Sequence, residues 1–337
     1  MPLPVRVPSY DELLAGFGGA PPGASWKVFG DGDQVGTLNF LTPARVAHAA
    51  TLARTGKVFS LDYPVNSFEP FPSGTRHAAE HHTFANNVFH RDDYLDNFYL
   101  QATSQLDALR HIGHPLFGFY QGFSPGDVSG SSAVLGIHQL AAHGIVGRGV
   151  LLDVHRFMAG RGAPLSPYRN DRITASVLDE VAKEQGTAVL PGDIVLVRTG
   201  WAGHYVRLGE AERVAYNKVR KCAGLAQEEA TVRWLWDHQV AVVAADNLGI
   251  EASPRDRLVD RDFELPDQEV PAKGVDHNGM LHRPLIPLLG MPMGELWALD
   301  DLADDCAADH VYEFLLVCKP LAVLGGAGSP PNATAIK

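Results

Sequence analysis

Apolar runs and stretches of helical periodicity alternate along this chain of 337 residues. Three runs rich in Val, Ile and Leu, at 148–154, 193–199 and 240–245, lack strict polar alternation. They therefore predict strands that are buried on both faces. Other strands are predicted at 57–65 and 311–324, and helices at 44–55, 175–185, 227–238 and 301–309. This order of elements predicts a mixed α/β fold.

The first two helices have recognisable start signals. Ser9, followed three residues later by Glu12, forms a capping box for a short first helix. Thr42 and Pro43 are typical of the start of a second helix, which Gly56 follows. Both helices are interpreted as structural.

Two long stretches, 66–135 and 251–294, have few helical patterns and many Gly, Pro, Asn, Asp and His residues. They predict ordered loops over the strand ends, where binding sites are common. The chain has no repeat, low-complexity tract or convincing interdomain linker. We therefore expect an N-terminal extension with a short helix at residues 1–34 and one main domain at residues 35–337.

Composition and charge narrow the class of protein. Hydrophobic residues make up 45% and charged residues 20%, as in ordinary globular proteins, so disorder is not indicated. The formal charge of −11 and the absence of a long basic run argue against a nucleic-acid partner. A negative net charge is more compatible with small neutral or metal-bridged substrates.

Cysteine usage and hydropathy indicate the compartment. Cys222, Cys306 and Cys318 contain no Cys-x-x-Cys pair, so neither a disulfide framework nor a thiolate zinc site is expected. The N-terminus does not read as a signal peptide, and no stretch reaches about 18 uninterrupted apolar residues. We expect a cytoplasmic protein without a membrane partner.

The most informative polar pattern is residues 101–111. If residues 97–107 form a strand, alternate side chains share one face. The side chains on that face are Gln101, Thr103, Gln105 and Asp107. With His111 just beyond the strand, these groups could bind a cation and move a proton beside it. The alternative is a polar strand face on which Asp107 caps the next element.

Farther along the chain, His282 and Glu295 flank the sequence RPLIPLLGMPMG. Its Pro and Gly residues prevent a continuous helix but allow a bend that returns the chain to one point. Each residue alone is ordinary, since a lone His or Glu is most often structural. They become candidates for a site if the bend brings their side chains close to Asp107.

Three other motifs are better explained as structure. The Gly-x-Ser-x-Gly match at 122–126 places Pro125, which has no N–H, after the serine, so we predict a turn rather than a hydrolase nucleophile. The inverted zinc-peptidase match at 77–81 lacks helix support, and we predict loop or strand histidines there. The glycines at 325–328 precede Pro330 and Pro331, which excludes a dinucleotide-binding helix.

The pattern at 101–111 resembles the signature of the cyclase family, which includes bacterial kynurenine formamidase, isatin hydrolase and trans-dienelactone hydrolase. That signature reads His-x-Gly-Thr-His-x-Asp-x-Pro-x-His. Asp107 and His111 match it, whereas Gln101 and Gln105 stand where the family has two metal-binding histidines. The chain therefore resembles a divergent branch of the family.

Later blocks in the family's order support this resemblance, which covers roughly residues 35–337. These blocks are GRGVLLDV at 147–154, PGDIVLVRTGW at 191–201, the segment from His282 to Glu295 and the closing GGAGSPPNATAIK. The resemblance implies a swivelling β/β/α fold, a barrel-like mixed sheet with outer helices, and a homodimer or homotetramer.

The resemblance also implies roles for individual residues. Asp107, His282 and Glu295 become metal ligands, and His111 becomes the base. Gln105 and, more weakly, Gln101 would complete or orient the ligand shell. One or two divalent ions are expected, with Mn²⁺ or Zn²⁺ favoured. The amide oxygens shift preference toward harder ions, so Mg²⁺ and Ca²⁺ also fit.

The resulting hypothesis is a metal-dependent hydrolase that opens an amide, cyclic imide, lactone or related acyl bond of a small substrate, aromatic substrates included. Phe89, Tyr120 and Trp201 are candidate walls of the substrate pocket, although each could equally be core. Two alternatives stay open. One is a cyclase, dehydratase or isomerase that uses His111 without net hydrolysis, and the other is a metal-free small-molecule binder.

Overall fold

The computed structural model describes residues 6–254 and 277–337. Its short helices are connected by long loops, with 3₁₀ turns at Phe17–Gly19, Gly36–Phe40 and Tyr120–Gly122 and a π-helical turn at Pro284–Leu288. The α-helices in these ranges are α1 (Tyr10–Leu14), α2 (Pro43–Ala50), α3 (Ile137–His143), α4 (Val154–Gly160), α5 (Ala175–Gln185), α6 (Trp201–Arg207), α7 (Glu210–Asn217), α8 (Glu229–Asp237) and α9 (Asp300–Asp309).

The strands of the described ranges form one large sheet and two small ones. They are β1 (Val58–Ser60), β2 (Glu80–Ala85), β3 (Arg91–Asp96), β4 (Gln105–Asp107), β5 (Ile145–Leu152), β6 (Arg172–Ile173), β7 (Ile194–Val197), β8 (Gly224–Leu225), β9 (Val242–Ala245), β10 (Met293–Glu295), β11 (Glu313–Cys318), β12 (Gly328–Ser329) and β13 (Ala333–Ile336).

The large sheet has nine strands in the order β1-β13-β11-β5-β7-β9-β10-β4-β12 and is strongly curled. Strands β5, β7, β9 and β10 run parallel, and antiparallel strands complete both ends of the sheet. The mixed α/β prediction with a barrel-like sheet is therefore confirmed. This order brings β4, β9 and β10 together from distant parts of the sequence.

The central strands follow the apolar runs of the sequence. Every residue of β7 and β9 is buried, as the absence of alternation predicted. Helices α2 and α5 both pack against β5. The start signals also work as predicted, since Ser9 and Glu12 form the capping box of α1 and the Thr42 side chain accepts from Arg45 N.

The main hydrophobic core includes side chains from before residue 35. Tyr10, Leu13, Trp26 and Phe29 are buried in the same cluster as the sheet residues. Trp26 Nε1 also donates to Pro287 O at 2.7 Å. The boundary at residue 34 stays a prediction, but this segment packs closely on the rest of the chain.

One predicted strand is much shorter than expected. Of residues 97–107, only Gln105–Asp107 are in a strand. Before it, Ser104 Oγ donates to Leu296 O at 2.7 Å and accepts from Tyr63 N at 2.9 Å. Thr103 Oγ1 donates to Tyr63 O at 3.3 Å. These side-chain bonds compete with regular strand pairing, so Thr103 does not share the face of Asp107.

Strands β2 and β3 form a separate hairpin, and among the described strands they pair with each other alone. All but one of its strand residues are exposed, and Phe89 at its turn is 90% exposed. The homodimer or homotetramer implied by the resemblance stays a prediction. Within the described ranges, every helix is too short or too polar to pass through a bilayer.

Candidate functional site

Backbone pairing between β4 and β10 places the first polar side chains of the site. Gln105 lies directly opposite Glu295 in the antiparallel register. Asp107 is two residues farther along β4, so its side chain points to the same face. Gly294 permits close packing here, because a Cβ at this position would lie 2.5 Å from Ala244 Cβ. The sheet itself therefore fixes the spacing of the two carboxylates.

A buried histidine joins these carboxylates. The proline-containing π-helical turn that follows His282 leads the chain back to β10. His282 Nε2 lies 3.2 Å from Glu295 Oε1 and 3.8 Å from Asp107 Oδ2. Its Nδ1 lies 3.0 Å from Glu251 Oε1. The bend between His282 and Glu295 thus brings both residues to Asp107.

The two glutamines donate hydrogen bonds to the carboxylate oxygens that are turned away from His282. Gln101 Nε2 donates to Asp107 Oδ1 at 2.5 Å, and Gln105 Nε2 donates to Glu295 Oε2. Gly328 leaves the space for Gln101, since a Cβ there would lie 2.9 Å from its Cγ. Each amide therefore occupies one oxygen of a carboxylate and leaves the other oxygen facing His282. In this arrangement the glutamines orient the carboxylates.

Two further imidazoles lie beside this group. His111 Nε2 is 4.0 Å from Asp107 Oδ2, and Gln101 Nε2 lies 3.3 Å from His111 Nδ1. The ring of His277 is centred 6.1 Å from that of His111 and 5.0 Å from that of His282. All six residues that the sequence nominated as ligands or base are therefore gathered at one place.

Burial changes the proton affinity of the acidic groups. It raises the pKa of Asp107 to about 7, and the nearby Glu295 charge adds to the effect. Burial also acts to raise the pKa of Glu295, but the hydrogen bond and charge of His282 outweigh it and lower that pKa. Burial raises the pKa of Glu251 as well. The site therefore holds more carboxylates than its own cations stabilise.

The histidines divide into one charged and two neutral rings. Burial disfavours the charge on His282, but Glu251 and Glu295 raise its pKa well above the ordinary value. Burial, together with the charge on His282, lowers the pKa of His111 to about 3 and that of His277 to about 2. His111 is consequently a neutral imidazole that can accept a proton.

The polar group opens into a cavity of about 940 Å³. Gln105, His111, His282 and Glu295 contribute to its lining, together with apolar side chains that could hold the body of a small molecule. The apolar and aromatic lining residues include Phe71, Pro72, Tyr99, Ile112, Val219, Leu248 and Met280. Polar groups that converge in an apolar cavity are typical of an enzyme site.

The donor set fits a divalent metal ion. One ligand atom each from Asp107, His282 and Glu295 lies within 4.8 Å of the others. Carboxylate oxygens and imidazole nitrogens are common ligands of Mn²⁺ and Zn²⁺. Asp107 Oδ2 is buried without a hydrogen-bond partner, which is costly unless another group binds it. Glu251 on the far nitrogen of His282 matches the way carboxylates orient metal-binding histidines.

A second set of possible ligands overlaps the first. His111, His277 and His282 also present ring nitrogens within 4.8 Å of one another. Because Glu251 occupies Nδ1 of His282, both sets depend on the same Nε2 atom. The carboxylate set is the more buried of the two, and it contains the acceptor without a partner.

The predicted aromatic wall is formed by other residues. Phe89 is at the exposed end of the β2–β3 hairpin. Tyr120 is fully buried, and its hydroxyl donates to Asp33 Oδ2 at 2.9 Å. Trp201 packs in a second core cluster and lines a different cavity of about 140 Å³. None of these three lines the large cavity of the described chain, whereas Phe71 and Tyr99 do.

Other sequence predictions have a clear outcome. Ser124 lies in an exposed turn, where its Oγ donates to Asp127 Oδ2 at 2.6 Å, as a turn rather than a nucleophile elbow predicts. Glu80 and His81 lie on β2 rather than on a helix, and His81 Nε2 contacts Asp93 at 2.7 Å. The three cysteines are buried and unpaired.

Three residues of the site were not found from the sequence. Glu251 follows β9 and contacts His282. The His277 ring lies edge-on to that of His111 and tilted to that of His282. Arg76 donates to Gln101 O and lies 3.4 Å from Gln105 Oε1. The spacing of His277 and His282, five residues apart, was the only local signal. Glu251 and Arg76 had none, because distant loops bring them to the site.

Comparison with known proteins gives a consistent result. A family model described as "Putative cyclase" matches residues 59–252, more than half of the chain. A solved structure described as a novel cyclase is 31% identical with a TM-score of 0.77, and the match covers 93% of this chain and 99% of that one. No curated protein matches the sequence significantly.

More distant structures share the fold. Isatin hydrolase A from Labrenzia aggregata is 16% identical with a TM-score of 0.53, covering 86% of this chain and 96% of that one. An isatin hydrolase bound to the product analogue thioisatinate is 15% identical with a TM-score of 0.54, covering 86% and 95%. At this identity the similarity establishes the architecture alone.

Proposed function

Because this chain belongs to the cyclase family, we propose that it is a metal-dependent hydrolase. Its substrate would be a small molecule with an amide, cyclic imide, lactone or related acyl bond. Because isatin hydrolases share this fold, hydrolysis is the reaction that we propose. The large cavity with apolar walls supports a small and partly apolar substrate.

One observation carries the proposal. Asp107 Oδ2, a buried acceptor without a hydrogen-bond partner, faces His282 Nε2 at 3.8 Å and His111 Nε2 at 4.0 Å. The first contact completes a ligand group with Glu295, and the second places a neutral base next to that group. A cation site beside a proton acceptor is the arrangement that metal-assisted hydrolysis requires.

The metal would be held by Asp107, His282 and Glu295. When bound, such an ion polarises a carbonyl group and lowers the pKa of water. Gln101 and Gln105 keep the free carboxylate oxygens turned toward His282, and Glu251 fixes the orientation of that ring. Two carboxylates and one imidazole suit Mn²⁺ as well as Zn²⁺.

His111 would transfer the proton. Burial lowers the pKa of His111 and so keeps its ring neutral, and a neutral imidazole can accept the proton of attacking water. Once charged in this environment, the ring gives up the proton readily to the leaving group. The contact with Gln101 Nε2 at 3.3 Å helps to hold the ring beside Asp107.

The test separates metal binding from proton transfer. Asp107→Ala should abolish both bound metal and activity, whereas His111→Ala should retain metal and lose activity by about 10²–10⁴-fold. Metal is measured on protein purified without chelator, and activity on formyl-amides, cyclic imides and lactones supplied with Mn²⁺ or Zn²⁺. Asp92→Ala, which removes an exposed carboxylate of β3, is the control.

Full activity in Asp107→Ala would contradict the proposed site. Product mass identifies the reaction, since hydrolysis adds one water to the substrate. A product of unchanged mass would instead indicate an isomerase on the same scaffold, and loss of water would indicate a dehydratase.

A further inference from the structure

The large cavity contains an arginine that the proposed reaction does not use. Arg220 lies in the loop after α7 and lines the same cavity as His282 and Glu295. Its Nε donates to Asn217 O at 3.0 Å. Within residues 6–254 and 277–337, its terminal guanidinium nitrogens have no hydrogen-bond partner and no carboxylate within 4.0 Å. These donors are therefore available to a ligand.

The other arginine of the cavity is already engaged. Arg76 donates to the carbonyl oxygen of Gln101, lies 3.4 Å from Gln105 Oε1 and packs 5.1 Å from the centre of the Phe71 ring. Arg76 thus supports the residues that orient the carboxylates. Arg220 and Arg76 therefore have different surroundings: Arg76 Nη1 is bonded to residues of the site, whereas neither terminal nitrogen of Arg220 has a partner among the described residues.

The backbone at Arg220 is held in an unusual conformation. Its φ is +51°, in the left-handed region that residues with a Cβ seldom adopt. Two bonds maintain it: Arg220 N donates to Tyr216 O at 3.0 Å, and Ser253 Oγ donates to Arg220 O at 3.2 Å. Ser253 is itself a lining residue of the cavity. The two bonds fix the backbone from which the Arg220 side chain extends at the wall of the cavity.

The local charge also favours an anion. Lys218, Arg220 and Lys221 place three cationic side chains within four residues, in a chain whose formal charge is −11. Val219, between them, is 52% exposed and also lines the cavity. A positive segment at an otherwise apolar wall attracts a negatively charged ligand and orients it.

We propose that the substrate carries a carboxylate in addition to its scissile acyl bond, and that Arg220 binds this carboxylate. The inference rests on the proposed hydrolase function. The planar guanidinium can donate two parallel hydrogen bonds to a carboxylate. The apolar walls would hold an aromatic or aliphatic body between the carboxylate and the acyl group.

A matched substrate pair tests this specificity. The metal-loaded enzyme is assayed with 4-formamidobenzoate and with its neutral counterpart, 4-formamidobenzamide. Arg220→Gln should raise KM for the carboxylate by about 10–100-fold and leave its kcat nearly unchanged. KM for the neutral amide should not change. Arg220→Lys should recover part of the loss, because it keeps the charge but not the paired donors.

Lys218→Gln is the matched control, since it removes a positive charge two residues away that does not line the cavity. If Lys218→Gln raises KM for the carboxylate as much as Arg220→Gln does, the effect comes from long-range electrostatic attraction, and the proposed contact is wrong. An equal KM for both compounds in the unmodified enzyme would also overturn it.

Binding separates this inference from the proposed reaction. Calorimetry with metal-loaded His111→Ala protein measures the affinity of both compounds without turnover. A preference of about tenfold or more for the carboxylate, abolished by adding Arg220→Gln, supports the inference even if no hydrolysis is ever observed. No preference refutes it even if hydrolysis is confirmed with neutral substrates.

Discussion

Two groups of buried charges lie in the same nine-stranded sheet, and they are neutralised differently. Arg148 on β5 donates to Asp193 at 2.5 Å, to Glu313 on β11 at 2.8 Å and to Ala188 O at 3.1 Å. Asp193 also accepts from Leu190 N at 2.7 Å. In this cluster the protein supplies both the charges and the partners that satisfy them.

The group at β4 and β10 lacks this balance. Asp107, Glu251 and Glu295 surround the single charged ring of His282, and one oxygen each of Asp107 and Glu251 has no hydrogen-bond partner. An unpaired buried charge is strongly unfavourable. The difference indicates that the Arg148 cluster serves stability, whereas the Asp107 cluster is arranged for a ligand that the protein does not itself contain.

The largest expected effect is on the balanced cluster. Arg148→Met leaves Asp193 and Glu313 without their cation, and breaking a buried pair in this way costs about 3–5 kcal/mol of unfolding free energy. Urea unfolding measures the loss. Arg161→Met, which breaks an ion pair with both partners about half exposed, should lose much less. Equal losses in the two variants would remove the distinction between the clusters.

The next effect is on metal binding in the unbalanced cluster. Glu251 contacts His282 Nδ1 but is not one of the three grouped ligands. Glu251→Gln keeps the shape and removes the charge, so Mn²⁺ affinity should fall about 10–100-fold. Titration calorimetry on metal-free protein measures it. Glu313→Gln is the control and should bind Mn²⁺ as the unmodified protein does.

The contrast also explains what could be predicted from the sequence. The buried strands β5, β7 and β9 could be predicted because a continuous apolar run is a local signal. Asp107 and His111 lie four residues apart and could be nominated together. His282 and Glu295 could be assigned to the same site for two reasons. The prolines and glycines between them indicate a bend, and the family resemblance implies that both bind a metal together with Asp107.

The remaining features depend on long-range packing. Glu251 and Arg76 reach the site from loops whose positions follow from the strand order, which no local pattern encodes. The glutamines were expected to complete or orient the ligand shell, and the sequence did not show which; their amides donate to the carboxylates. Aromatic residues were poor guides to the cavity, since Tyr120 and Trp201 suit a core as well as a pocket.

The smallest expected effect is a pH dependence that arises from Asp107 in the unbalanced cluster. In metal-free protein, burial raises the pKa of Asp107 from 3.8 to about 7, so the folded state binds its proton more tightly than the unfolded state does. The stabilisation is therefore complete below about pH 4 and is lost as the pH rises through about 7. Asp107→Asn cannot ionise and should not show this loss.

Urea unfolding in EDTA at pH 5 and pH 8 measures the effect. Between these pH values the unmodified protein should lose about 1 kcal/mol or more of stability relative to Asp107→Asn. Asp92→Asn, on the exposed hairpin, should follow the unmodified protein. If Asp107→Asn also follows it, the carboxylate at 107 is already compensated by the protein, and the argument that this cluster requires a cation loses its electrostatic basis.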